Sequence, residues 1–166
     1  MDELDSRILE ELQRDGRLSV SRLADVLNKP RTTIVNRLTR LEEEGVITGY
    51  RAIIDPAKLG YNLQAYVLIT ARRIPGAAKP NQVALAERII YDSDRGEDMP
   101  WVEEAQVVTG QYDIILKVWA RDLKQLSNFL IRYLPTQSDV VKSETMIVLE
   151  NVATWRNRLM PIRRST

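Results

Sequence analysis

Residues 29–45 read KPRTTIVNRLTRLEEEG. Lys29, Arg31, Arg37 and Arg40 are cationic, Thr32, Thr33 and Asn36 carry short hydrogen-bonding groups, and no acid occurs before Glu42. Such a set can do recognition rather than bond-making. Threonine, asparagine and arginine can meet base edges in a major groove, while lysine and arginine neutralise phosphates. On a helical wheel at about 100° per residue, Ile34, Val35, Leu38 and Leu41 gather on one side. Thr32, Thr33, Asn36 and Arg40 point the other way, with Arg31, Arg37 and Thr39 on the flanks. Base reading is therefore expected from Thr32, Thr33, Asn36 and Arg37, and phosphate contact from Lys29, Arg31 and Arg40. Glu42, Glu43 and Glu44 fall where such a helix would be leaving double-stranded DNA.

A polar, partly basic helix face on its own is most often only solvated. Its neighbours change that reading. DELDSRILEELQRDG has an apolar stripe at Leu4, Ile8, Leu9 and Leu12, with Gly16 placed to end it. LSVSRLADVLNKP restarts with Ser19 as N-cap and a stripe of Val20, Leu23, Ala24 and Leu27. Pro30 suits the first turn of the third helix. Two short helices, a tight turn and a third helix without acids on its outer face form a helix-turn-helix. VITGYRAII (46–54) reads as a β-ribbon after it, which makes the unit winged.

Bulk properties exclude several classes. The 166 residues carry a net charge of +1, so overall electrostatics name no partner. With no cysteine and no histidine, disulfides, thiolate metal sites, cysteine nucleophiles and imidazole catalysis are all ruled out. Neither catalytic nor metal-binding residues are expected, and no cofactor. No apolar run approaches the ~20 residues that cross a bilayer, and the acidic start is unlike a signal peptide. A soluble, cytoplasmic protein is expected. Arg156, Arg158, Arg163 and Arg164 make the last sixteen residues basic, either as a solvated tail or as an accessory phosphate clamp.

After Asp55-Pro56 and Gly60 the periodicity changes. Strand patterns at 63–73, 101–110, 111–120 and 140–152 alternate with helical patterns at 80–92 and 122–134, the order β-α-β-β-α-β of a ferredoxin-like domain. The fold class is α+β, divided into a DNA-binding domain (1–50), a β-ribbon and linker (51–60), a dimerisation and effector domain (61–152) and a tail (153–166). In the third strand Ile114, Leu116 and Val118 oppose Ile115 and Trp119. In the fourth, Met146 and Val148 oppose Ile147 and Leu149. Apolar residues on both faces imply a cover for the face the helices leave open. The expected cover is a second copy, giving a homodimer.

Together LDSRILEELQRDGRLSVSRLADVLN, RTTIVNRLTRLEEEGVITGYRAIIDPAKLGY, VVTGQYDIILKV and SETMIVLEN resemble the Lrp/AsnC family of regulators over nearly the whole chain. The resemblance implies a sequence-specific transcriptional regulator with dimers that assemble into tetramers or octamers, tuned by an amino acid bound between effector domains. It places effector roles on Thr109, Gly110, Gln111, Tyr112 and Asp113, and more weakly on Ser143 and Thr145. The chemistry suits a zwitterion: at Gly110 a ligand can approach backbone N–H groups that hold a carboxylate, and Asp113 could pair with an ammonium. Two features depart from the family: the passage from 74 to 101 is longer than usual, and Gln111 stands where many relatives carry an acid. The alternative is an amino-acid-sensing or assembly protein of this fold without specific DNA binding. A catalytic use of the fold, siroheme decarboxylation, relies on histidines as that family is known.

Overall fold

The acidic start of the chain caps its own helix. Asp2 is the N-cap of α1 (Glu3–Arg14): its carboxylate accepts the Asp5 amide, and the Asp5 carboxylate accepts the Asp2 amide, a reciprocal capping box. This computed structural model describes residues 1–72, 79–154, 156 and 158–162. Arg73, expected at the end of a strand, and Arg163 and Arg164 of the tail lie outside the described residues. The chain divides into two compact units, Met1–Ile54 with Val152–Thr166, and Asp55–Asn151. The division at Ile54/Asp55 falls inside the expected 51–60 connector. No helix among the described residues is long and apolar enough to cross a membrane.

In the first unit, α2 (Val20–Leu27) begins at Ser19, whose side chain accepts the Arg22 amide at 3.2 Å. It ends at Asn28, which takes the left-handed conformation (φ 50°) that asparagine tolerates. Pro30 then stands at the N-cap of α3 (Arg31–Glu43) and supplies no side-chain cap. Ile8, Leu23, Leu27, Ile34 and Leu41 are buried together, with Leu4, Leu9, Leu12, Leu38 and Ile47 against them. Val35 is a correction: expected in the apolar stripe, it is 41% exposed. It lies roughly 100° around the helix from Ile34, at the rim of the Ile34–Leu38–Leu41 seam.

Residues 46–54, expected as a β-ribbon, form no strand. A ribbon needs a partner strand, and no strand among the described residues pairs with this segment. Its start instead closes the end of α3: the Val46 and Ile47 amides both donate to the Leu41 carbonyl, at 2.9 and 3.0 Å. The tail joins this unit from Val152 onward rather than standing apart. Met160 donates its amide to Gln13 Oε1 at 2.7 Å and accepts Gln13 Nε2 at 3.1 Å, which fastens the tail to α1.

The second unit has the expected order: β1 (Leu63–Ala71), α4 (Asn81–Ser93), β2 (Trp101–Val107), β3 (Ile114–Ala120), α5 (Leu123–Asn128) and β4 (Val140–Ile147). The sheet runs β2-β3-β1-β4, antiparallel throughout. Asp122 caps α5 by accepting the Gln125 amide. The expected single helix to 134 continues past α5 as a π-helical turn (Phe129–Tyr133) and a 3-10 turn (Leu134–Thr136), so Pro135 lies inside the last turn. Ala65, Val67, Ile69, Ile114, Leu116 and Val118 face the core with Leu85, Ile89, Leu126 and Phe129 of the helices.

The other face of the sheet is more polar than expected. A register shift between Val102 and Glu104 inserts an extra residue, a β-bulge that aims both Glu103 and Glu104 at Lys117. The Lys117 ammonium lies 3.1 Å from Glu103 and 3.3 Å from Glu104, and the Trp119 indole N–H donates to Glu103 at 2.7 Å. Leu68 and Trp119 are buried here, whereas Tyr66 and Met146 are exposed. β4 ends at Ile147, so Val148 and Leu149 lie beyond the strand, and Leu149 is 96% exposed.

Candidate DNA-binding and effector sites

On α3 the expected DNA-facing residues separate into two groups. Lys29, Arg31, Thr32 and Asn36 are exposed and Thr33 is half-buried. Arg37 and Arg40 turn toward α1. Arg37 Nη1 donates to Asp2 at 2.5 Å and to Asp5 at 3.2 Å, and Arg40 Nη2 donates to Asp5 at 2.6 Å. The Asp5 carboxylate that receives both is fully buried. The Asp5 amide, and then Arg37, hold the Asp2 carboxyl down at about 2, and the Asp2 carboxylate raises the Arg37 guanidinium in return.

The glutamates that finish the helix also have partners. Tyr50 donates its hydroxyl to Glu42 at 3.0 Å, and Glu44 lies 3.8 Å from Arg40 Nε. Burial and then the bond to Glu42 push the Tyr50 phenol up. These contacts tie the segment after α3 back to its last turn.

In the second unit, Thr109–Asp113 link β2 to β3. Thr109, Gly110 and Gln111 are exposed, and Gly110 has φ 124° with no atom of a described residue within 4 Å of where a Cβ would stand. That conformation favours glycine for backbone reasons alone. Asp113, expected to meet an ammonium group, is buried: it accepts the Ala71 amide at 2.9 Å and donates its own amide to the Ile69 carbonyl at 2.9 Å. It stitches the hairpin to β1. Tyr112 donates its hydroxyl to Glu144 at 2.5 Å, and Lys142 pairs with the same carboxylate at 2.5 Å. Lys142, then Tyr112, lower the Glu144 carboxyl, and Glu144 raises both partners.

The seven expected effector residues do not share one face. Register pairs Ser143 with Ile69 and Thr145 with Val67, on the helix-covered side of the sheet. Glu144, which receives Tyr112, alternates to the opposite side. Sequence reasoning missed Asp2, Asp5, Lys142 and Glu144. The signal for the first two was the pair of acids spaced three apart at a helix start; for the others it was two charges at i and i+2 on a strand.

Residues 1–48 match the winged helix-turn-helix DNA-binding family, and residues 86–156 match the Lrp/AsnC ligand binding domain. The leucine-responsive regulatory protein of Rhizobium meliloti is 33% identical over 152 residues, covering 92% of this chain and 91% of that protein. The chain belongs to the Lrp/AsnC family. Regulatory protein AsnC of Escherichia coli is 32% identical over 151 residues, 91% of each chain. The solved E. coli AsnC structure superposes with a TM-score of 0.75 at 28% identity, covering 96% of this chain and 97% of that one. This Lrp/AsnC protein is a helix-turn-helix regulator of transcription, with its effector unit on a four-stranded antiparallel sheet. The family is one of DNA-binding transcriptional regulators.

Proposed function

We propose that this Lrp/AsnC regulator reads duplex DNA with the front of α3: Lys29 and Arg31 on phosphates, Thr32, Thr33 and Asn36 at base edges. The observation that carries the reading is an exposed helix start that itself carries no acid and whose first-turn amides no described side chain caps. Uncapped amides favour a phosphate there as well. Two copies would present two such helices at half-sites about one helical turn, ~34–36 Å, apart or a multiple of it. The pairing we propose runs through the helix-free face of the sheet, where Tyr66 and Met146 are exposed. Tetramers or octamers of such dimers fit the family. This reading puts the protein in the cytoplasm.

The effector we propose is an amino acid at the Thr109–Asp113 turn, between effector units. In support, the ligand binding domain match spans this turn, and a relative is named for its response to leucine. The exposed backbone of Thr109, Gly110 and Gln111 offers N–H groups for a carboxylate. Tyr112 and the Glu144–Lys142 pair border the turn and would change partners on binding. Ser143 and Thr145, on the opposite face, are left out of this proposal, and the Asp113 carboxylate keeps its backbone role.

The test is binding to the chain's own upstream DNA, followed by fluorescence anisotropy, with each amino acid added in turn and size followed by sedimentation. Saturable, sequence-dependent binding that one amino acid alters is expected. Equal affinity for every duplex would sink the base-reading assignment and favour a sensing or assembly protein of this fold. A monomer at micromolar concentration would sink the pairing.

A further inference from the structure

We infer that Asp2 and Asp5 form a clamp that withholds Arg37 and Arg40 from DNA, leaving Lys29 and Arg31 as the phosphate contacts of the recognition helix. The inference rests on the reading of α3 as the DNA-facing helix and changes which of its cations do the work.

The clamp is built on a motif local to the start of α1. The reciprocal capping box places both carboxylates at the start of α1: Asp2 Oδ1 accepts the Asp5 amide at 3.0 Å, and Asp5 Oδ2 accepts the Asp2 amide at 2.7 Å. The remaining acceptor positions face α3. Asp2 Oδ2 and Asp5 Oδ1 take the two bonds from Arg37, and Asp5 Oδ2 also takes Arg40. Arg37 and Arg40 stand three apart, so one helical face delivers both to the same carboxylate. Charge-assisted bonds of this kind are among the stronger ones available to a guanidinium. For Arg37 to meet a guanine it would have to leave two carboxylates. For Arg40 to meet a phosphate it would leave a fully buried carboxylate with less compensation, which is the costly way to break such a pair. Lys29 and Arg31 make no ion pair with any described residue and are exposed, so nothing of that kind opposes their turning to DNA. Asp2 and Asp5 are thus positioning residues: they fix the face that α3 shows.

The experiment measures affinity of the full chain for a random-sequence duplex across a salt series, since each phosphate neutralised contributes about 0.9 to the slope of log affinity against log salt. Arg31→Gln is expected to lower the slope by about 0.9 per recognition helix. Arg37→Gln, Arg40→Gln and the charge-balanced double variant Asp5→Asn/Arg40→Gln are expected to keep the original slope. The double variant leaves no buried charge unpaired, so it serves where a single change fails to fold. Asp5→Asn alone is expected to steepen the slope, because the released Arg40 can then reach a phosphate while Asp2 still holds Arg37. A slope lowered by about 0.9 in Arg37→Gln or in the double variant overturns the clamp. So does an unchanged slope in folded Asp5→Asn. Failure of the unaltered protein to bind any duplex brings down the DNA-facing assignment of α3 instead, a separate result.

Discussion

The two units bury charge in opposite senses. In the DNA-binding unit the centre is a carboxylate: Asp5 is fully buried, while the side chains of its partners Arg37 and Arg40 are 28% and 42% exposed. In the effector unit the centre is an ammonium: Lys117 is buried, its partner Glu103 is buried with it, and Glu104 sits nearer the rim. Burial works to lower the Lys117 ammonium, and Glu103 and Glu104 together outweigh it, so that the ammonium is raised. The difference lies in what remains when one member goes. Water can reach both arginines if Asp5 is neutralised, but it cannot readily reach Glu103 if Lys117 is lost. The cost of a change should therefore follow the burial of the charge left behind rather than the number of bonds removed.

The largest expected effect is Lys117→Met, which takes the ammonium from the buried Glu103 carboxylate and leaves it the Trp119 indole, and should destabilise the effector unit by about 3 kcal/mol in urea unfolding. Adding Glu103→Gln should return most of that loss; no recovery would mean that the packing of the lysine stem, not its charge, carries the effect. Next comes Arg40→Ala, which leaves Asp5 with Arg37 and its backbone donor. About 2 kcal/mol is expected, read by far-ultraviolet circular dichroism of the helical unit, and less than for Lys117 because solvent screens the arginine. Asp5→Asn should cost about 1 kcal/mol, since the two arginines can hydrate. If Asp5→Asn proves costlier than Arg40→Ala, the comparison between the units breaks. The smallest effect is acid sensitivity at Asp2. Its carboxyl sits at about 2 against an ordinary 3.8, a lowered value, so its contribution is present above about 4 and lost as pH falls toward 2. Asp2→Asn should remove that part of the acid transition in a pH titration of helical content.

Much of the fold was legible because periodicity reports burial. The stripe of Leu4, Ile8, Leu9 and Leu12, the caps at Ser19 and Asp122 and the alternation of Ile114, Leu116 and Val118 all placed elements correctly. Longer-range choices were not legible. A wheel puts Arg37 on a flank, and an arginine there is long enough to face DNA or a neighbouring helix; only the position of Asp2 and Asp5 decides. The bulge that brings Glu103 to Lys117 depends on one extra residue between strands, which alternation cannot locate. Asp113 fits a ligand-binding aspartate and a turn-fixing one equally well in sequence, and the Ala71 amide that distinguishes them is 42 residues away. The segment 46–54 has strand-like composition, but a strand also requires an edge to pair with.

The chain passes from the DNA-binding unit to the effector unit and then returns, since residues from Val152 onward group with the first unit and Met160 is fastened to Gln13. A reader helix set grafted from this protein onto a foreign sensor would accordingly need two splice points rather than one. A chimera cut only at residue 54 would inherit a head missing the strip that overlies its first helix, and swapping the two segments together is the more promising way to rewire it.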